Sequence, residues 1–150
     1  MNDQKQKIFT LDESTLSRYI SNKIYYAKPM KRGEYCENRG WDVPENENPD
    51  DDGYIILYPD GYISWNLKSN FEETSSRTDG MNFGMALAAL RMGKAVRLPQ
   101  WSDDVKIKCA HPTPTSIMTA AYLYVESRHG TVPWKETMIE LFSEEWQITD

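Results

Sequence analysis

The sequence predicts an α+β fold. A small N-terminal α+β module with a β-hairpin is followed by a helix packed on an antiparallel β-meander, with a short C-terminal helix near the end. Three observations carry this reading. Gly80 to Lys94 reads GMNFGMALAALRMGK, and Phe83, Ala86, Leu87, Ala89 and Leu90 form one apolar stripe at helical spacing. Tyr54 to Tyr58 and Tyr62 to Trp65 are β-prone runs on either side of Pro59-Asp60-Gly61, a hairpin signal. From Ala95 onward, short β-prone runs alternate with turn residues.

Taken in order, Met1 to Lys7 is polar and is expected to fray. Thr10-Leu11-Asp12-Glu13 fits a capping box, and Leu16, Tyr19 and Ile20 follow at helical spacing, so a helix is predicted from about Leu11 to Ile20. Ile24 to Ala27 is β-prone and predicts a strand ending before Pro29. Met30 to Trp41 predicts a short helix ended by Gly40. Asp42 to Asp52, DVPENENPDDD, has six acidic residues, two prolines and no core face, which predicts an exposed loop. A calcium site is the sharper alternative, but the EF-hand ligand order and its central glycine are missing. After the hairpin, Asn66 to Phe71 begins a short helix. Glu72 to Gly80 is polar and apolar-free, which puts a domain boundary between residues 79 and 80.

The second half opens on the helix, from about Phe83 to Met92. Asn82 suits its N-cap, Gly93 its end, and Arg91 and Lys94 the negative end of its dipole. Strands are predicted at Ala95 to Leu98, at Val105 to Cys109 and at Ile117 to Glu126. Ser127 to Gly130 is a turn, Thr131 to Trp134 returns, Glu136 to Phe142 forms a short helix through Met138, Ile139, Leu141 and Phe142, and Trp146 to Thr149 is the last strand.

Charge narrows the function. The 150 residues carry a net charge of −6, so general binding to nucleic acid or to an acidic membrane is not expected. The first 80 residues hold 10 basic and 15 acidic groups and the remaining 70 hold 7 and 8, so the second half suits a ligand pocket better. Cys36 and Cys109 are far apart in no CxxC pattern, and without a signal peptide they read as reduced thiols. No apolar run approaches the roughly 18 residues of a membrane span. Gly93-Lys94 follows a helix and precedes Ala95, which rules out a phosphate loop. No GxSxG, HExxH or GxGxxG occurs, and His111 and His129 sit in loop and turn. No catalytic constellation, cofactor or metal set is expected.

Several marks in the second half resemble a known family. They are Met81-Asn82-Phe83-Gly84, Ala86-Leu87, Ala89-Leu90 and Gly93-Lys94 in the helix, then Trp101, then Gly130-x-Val132-Pro133-Trp134, then Glu144-Glu145-Trp146. In this pattern the stretch from Gly80 to Asp150 is similar to the phage Thoeris anti-defence protein 2 domain. The first half resembles a phage-encoded module often found ahead of that domain, with no activity known to us. It does so through Pro29-Met30-x-Arg32-Gly33-Glu34-Tyr35, Arg39-Gly40-Trp41, Asp52-Gly53-Tyr54 and Gly61-Tyr62-Ile63-Ser64-Trp65. The resemblance implies a non-catalytic sponge acting in the host bacterial cytoplasm. It would bind a cyclic ADP-ribose isomer made by bacterial TIR-domain proteins, and in some members cyclic dinucleotides, as a homotetramer with pockets between subunits. The competing readings are a phage structural or interaction module with no small ligand, and a nucleotide-processing enzyme.

A sponge for such a ligand needs aromatic platforms for the base, acceptors for ribose hydroxyls and donors for phosphate. Trp101 and Trp134 match the family marks and follow turn-like breaks, so we expect them to stack on the base, with core packing as the alternative. Trp146 is expected in the core. Asp103 and Asp104 stand where many family members carry Asn-Gly; they suit hydroxyls and repel phosphate. Arg97 and Arg128 are the expected phosphate partners, or else plain surface residues. Phe83 either edges the pocket or belongs to the core, and Tyr122 and Tyr124 line either a cleft or a subunit contact.

Overall fold

A computed structural model describes residues 12–18 and 23–149. Among the described residues, four α-helices and two antiparallel sheets, of three and five strands, make the mixed α+β fold the sequence predicts. The sheets share no strand. The stretches 1–11 and 19–22 and residue 150, which include the polar start, Thr10 and Leu11, Tyr19 and Ile20 of the first predicted helix, lie outside the described residues.

The rest of that first helix is corrected. Only a 3-10 turn forms, Glu13–Thr15, and Leu16 to Arg18 are not helical. Both the backbone N–H and the hydroxyl of Ser14 donate to Asp12 Oδ1, at 3.0 and 2.7 Å. Such local side-chain bonds offer the backbone an alternative to helix. They also hold the Asp12 carboxyl below its ordinary pKa.

The three-stranded sheet runs β1 (Tyr26–Pro29), β2 (Gly53–Leu57), β3 (Ile63–Leu67). β1 lies two residues later than predicted and includes Pro29. Among the described residues it is an edge strand paired with β2 alone, a place where proline's missing N–H is tolerated. Helix α1 (Arg32–Arg39) ends at Gly40, whose φ of 70° is the left-handed cap a glycine takes freely. At its other end the acidic loop is put to use. The N–H groups of Arg32 and Gly33 donate to the carbonyls of Asp51 and Pro49, at 3.0 and 2.9 Å, so loop and helix hold each other.

The N-terminal marks meet around one indole. Trp65 lies over Gly53, leaving no room for a Cβ there, and its Nε1 donates to the Met30 carbonyl at 2.8 Å. The Arg32 guanidinium sits 5.2 Å from the Trp65 ring, and Arg39 donates to the Ile63 carbonyl at 2.7 Å. Met30, Tyr35, Cys36 and Ile56 are the buried apolar residues described in this half. Helix α2 (Lys68–Thr74) starts two residues later than predicted, because Asn66 stays in β3 opposite Tyr54. Its Phe71 stacks on Tyr54 at 4.1 Å.

Helix α3 (Phe83–Arg91) forms as read: Asn82 Oδ1 accepts from the Met85 N–H at 2.9 Å, and Gly93 follows with φ 89°. Behind it the five-stranded sheet has the order β7-β6-β5-β4-β8, from β4 (Ala95–Arg97), β5 (Lys106–Ala110), β6 (Tyr122–Ser127), β7 (Gly130–Pro133) and β8 (Gln147–Thr149). β6 begins at Tyr122 rather than Ile117, because its partner β5 runs out at Ala110, opposite Tyr122. One face of the sheet meets α3 in a core of Met81, Ala86, Ala89, Leu90, Val96, Leu98, Ile107 and Trp146. Each large side chain removed from water there contributes about 1.5–3 kcal/mol. The last helix is shorter than predicted, α4 (Met138–Leu141), and its apolar residues do not build core: Met138, Ile139 and Phe142 are exposed.

Candidate functional site

The hub of the second half is Trp146, which exposes none of its surface. Its backbone forms an isolated bridge with Met81, the residue that leads into α3. A buried indole N–H needs an acceptor. Here Nε1 donates to the Glu140 carbonyl at 2.9 Å. Glu140 is itself fixed in a capping box: Thr137 Oγ1 accepts from the Glu140 N–H at 3.2 Å, and Glu140 Oε2 accepts from the Thr137 N–H at 2.9 Å. So α4, though exposed, serves the core through its backbone. Residue-type reasoning missed Glu140, although Thr137-Met138-Ile139-Glu140 is a legible S/T-x-x-E box.

Three of the expected site residues gather on this hub. Trp101 meets Trp146 edge-to-face, with centroids 5.4 Å apart at 88°. Trp134 does the same at 5.9 Å and 87°. Phe83 lies 5.5 Å from Trp146 and 5.7 Å from Trp134. The three rings come from the start of α3, the turn after β4 and the end of β7. The chain places Trp134 by pairing its N–H with the Leu123 carbonyl at 2.9 Å. Trp101, Trp134 and Phe83 are half-buried and pack against the core without closing into it. Stacking and packing are therefore both open to each ring: part of it covers Trp146, and part reaches the surface.

The turn that carries Trp101 is pinned at two points. Arg97 Nη2 donates to the carbonyls of Trp101 and Ser102 at 2.7 and 2.9 Å, and its Nε reaches the Val105 carbonyl at 3.4 Å. On the far side, Asp104 Oδ2 accepts the Arg128 backbone N–H at 2.7 Å, tying the turn to the β6–β7 hairpin. That bond, foremost, holds the Asp104 carboxyl below its ordinary pKa, with the Arg128 and His129 charges adding to it. Asp103 and Asp104 thus do not act as a pair. Asp103 points fully into solvent, 3.8 Å from Arg97, while Asp104, half-buried, is tied to the Arg128 backbone. The Arg128 guanidinium stays largely exposed, 3.8 Å from Asp104.

Tyr122 and Tyr124 are not brought to this cluster. They neighbour each other at 6.3 Å, opposite Ala110 and Lys108 of β5. They alternate with Leu123, whose side chain packs on the core, so they lie on the opposite face of the sheet. His111 and His129 are exposed. Among the described residues no three His, Cys, Asp or Glu side chains are placed to hold a metal ion, and no helix is long and apolar enough to cross a membrane. A groove of about 400 Å³ lies in the first half, lined by Met30, Lys31, Glu34, Asp52, Tyr54 and Lys68 among others. Lys31 there already bonds Asp52 and the Asp50 carbonyl.

The aromatic hub, its capped helix and its pinned turn all fall inside one recognisable unit. No curated protein matches the chain. Residues 81–149, in the C-terminal half, carry a Tad2-like domain, the Thoeris anti-defense 2-like domain.

Proposed function

We propose that this protein is a phage anti-defence sponge. It binds a cyclic nucleotide immune signal, a cyclic ADP-ribose isomer such as 1''-3' glyco-cyclic ADP-ribose or a cyclic dinucleotide, and holds it uncleaved in the host bacterial cytoplasm. The observation that carries this reading is the convergence of Phe83, Trp101 and Trp134 on Trp146, inside the matched domain. Trp101 and Trp134 stack on the base, Asp103 accepts from ribose hydroxyls, and the exposed Arg128 guanidinium meets phosphate. One base–aromatic stack contributes about 1–3 kcal/mol, roughly one to two orders of magnitude in affinity. A tight sponge therefore needs both rings and polar contacts beside them. Tyr122 and Tyr124, on the far face, serve a contact between subunits of a homotetramer or dimer rather than the same pocket wall. The stretch ahead of this domain forms a separate module.

The test is direct. The protein is incubated with 1''-3' glyco-cyclic ADP-ribose, freed of unbound nucleotide and heated. Release of the intact nucleotide is expected; recovery of nothing, or of a cleaved product, overturns the reading. The exposed Met138, Ile139 and Phe142 favour one second reading, an interaction module with no small ligand. A calorimetric blank against a panel of cyclic nucleotides would select it.

A further inference from the structure

We infer that Arg97 is a positioning residue for Trp101 and not a phosphate ligand, an inference that rests on the stacking role proposed for Trp101. From sequence, an arginine in a nearly neutral half next to a candidate aromatic reads as an anion contact. The geometry assigns it differently. Arg97 lies in β4 between Val96 and Leu98, both fully buried, and its side chain keeps 14% of its exposure. Its Nη2 bridges the carbonyls of Trp101 and Ser102, and its Nε reaches that of Val105. These three carbonyls span the turn from Trp101 to Val105, the residue before β5. A guanidinium is suited to this, because its donors are fixed in a planar fork. The charge is compensated locally by those dipoles and by the Asp103 carboxylate at 3.8 Å.

The consequence falls on Trp101. Its indole packs edge-to-face on the fully buried Trp146, and its backbone N–H donates to the Leu98 carbonyl at 3.1 Å. The Arg97 bond to the Trp101 carbonyl fixes the peptide on the other side of the same residue. Trp101 is then held at ring, N–H and carbonyl, which sets the ring before any ligand arrives. Preorganisation of this kind raises affinity by removing an ordering cost on binding. A phosphate at Arg97 would have to displace carbonyls already in place, whereas Arg128 offers an exposed guanidinium.

Two measurements on the full chain test this, with Arg97→Gln and with Arg97→Lys as the milder variant should the first fail to fold. In the free protein, amide hydrogen exchange across residues 98–105 is expected to accelerate about tenfold or more, while α3 keeps its protection. Unchanged exchange in the turn overturns the inference whatever the ligand does. In binding of 1''-3' glyco-cyclic ADP-ribose, Arg97→Gln is expected to cost about tenfold in a Trp101 background and under about twofold in a Trp101→Ala background, with the same salt dependence. An equal loss in both backgrounds with a flatter salt dependence makes Arg97 a phosphate contact and overturns it. Faster exchange with no binding by the unsubstituted protein leaves Arg97 as the support of the turn and defeats the sponge reading instead.

Discussion

A tryptophan is worth most where it can neither be spared by the core nor withdrawn from the surface, and three in this protein divide those duties. Trp146 belongs to the core alone. It is fully buried, and three aromatic rings and the Glu140 carbonyl depend on it. Trp146→Ala is expected to cost about 3–5 kcal/mol, read as a large fall in the denaturant midpoint. Trp134 has two roles that one substitution can separate. Trp134→Leu keeps apolar bulk against Trp146 and Phe83 but removes the flat ring. Its melting temperature should stay close to that of the unsubstituted protein while affinity for the cyclic nucleotide falls about tenfold. Equal affinity would return Trp134 to pure packing. Sequence showed which tryptophans follow chain bends, and so Trp101 and Trp134 stood apart from Trp146. What it did not show is that Trp101 and Trp134 both pack on Trp146, because residues 101, 134 and 146 are brought together only by the strand order. In the first half, the glycine of Asp52-Gly53-Tyr54 was legible as a mark but not as a contact. With Trp65 lying over it, Gly53→Ala is expected to destabilise by about 1–3 kcal/mol, a cost that chemical denaturation measures.

Among the elements, the helix α3 was the most legible because its signals are local: a cap at Asn82, a stripe, and a glycine at its end. α4 was read in the right place from the spacing of its apolar residues, yet Met138, Ile139 and Phe142 face solvent. What holds it is the Thr137–Glu140 box and the backbone bond to Trp146. Thr137→Ala should therefore destabilise by about 1 kcal/mol and speed amide exchange in α4 first. The turn at 101–105 makes a prediction in pH. The folded protein holds the Asp104 carboxyl below its ordinary value, chiefly through the Arg128 N–H. A depressed carboxyl pKa stabilises the fold at pH above its unfolded value, and this contribution is lost as pH falls through the folded one. Asp104→Asn should accordingly melt below the unsubstituted protein at neutral pH. The gap should narrow in acid, as both side chains become uncharged. A gap that stays constant down to strongly acidic pH would mean that the charge plays no part.

At the scale of the whole molecule, the sequence placed a boundary between residues 79 and 80, where polarity and small residues run together. Composition marks where a core is absent, but it carries no information about which loop backbone pairs with a distant strand. The structure shows such pairings just ahead of that boundary. The Ile148 N–H donates to the Thr78 carbonyl at 2.7 Å, and the Gln147 side-chain amide reaches the Asp79 carbonyl at 3.4 Å. β8, an edge strand at the end of the chain, is thus bonded on one side to β4 and at one point to the segment before Met81. Thr78 and Asp79 thus accept hydrogen bonds from the last strand, although they stand on the first side of the boundary that composition drew. We therefore propose that the autonomous unit begins near Ser76. The prediction is a comparison of two fragments, 76–150 and 81–150, in thermal unfolding. Both keep Met81 and the hub of Trp146, so both are expected to fold; the shorter one loses the Thr78 carbonyl and leaves the Ile148 N–H without its partner. A half-buried donor left unpaired costs about 1–3 kcal/mol, which in a unit of this size lowers the melting temperature by roughly 4–8 °C per kcal/mol. Equal melting temperatures would put the boundary back where composition drew it. Failure of the longer fragment to fold would mean that the two sheets, which share no strand, are nonetheless one cooperative unit.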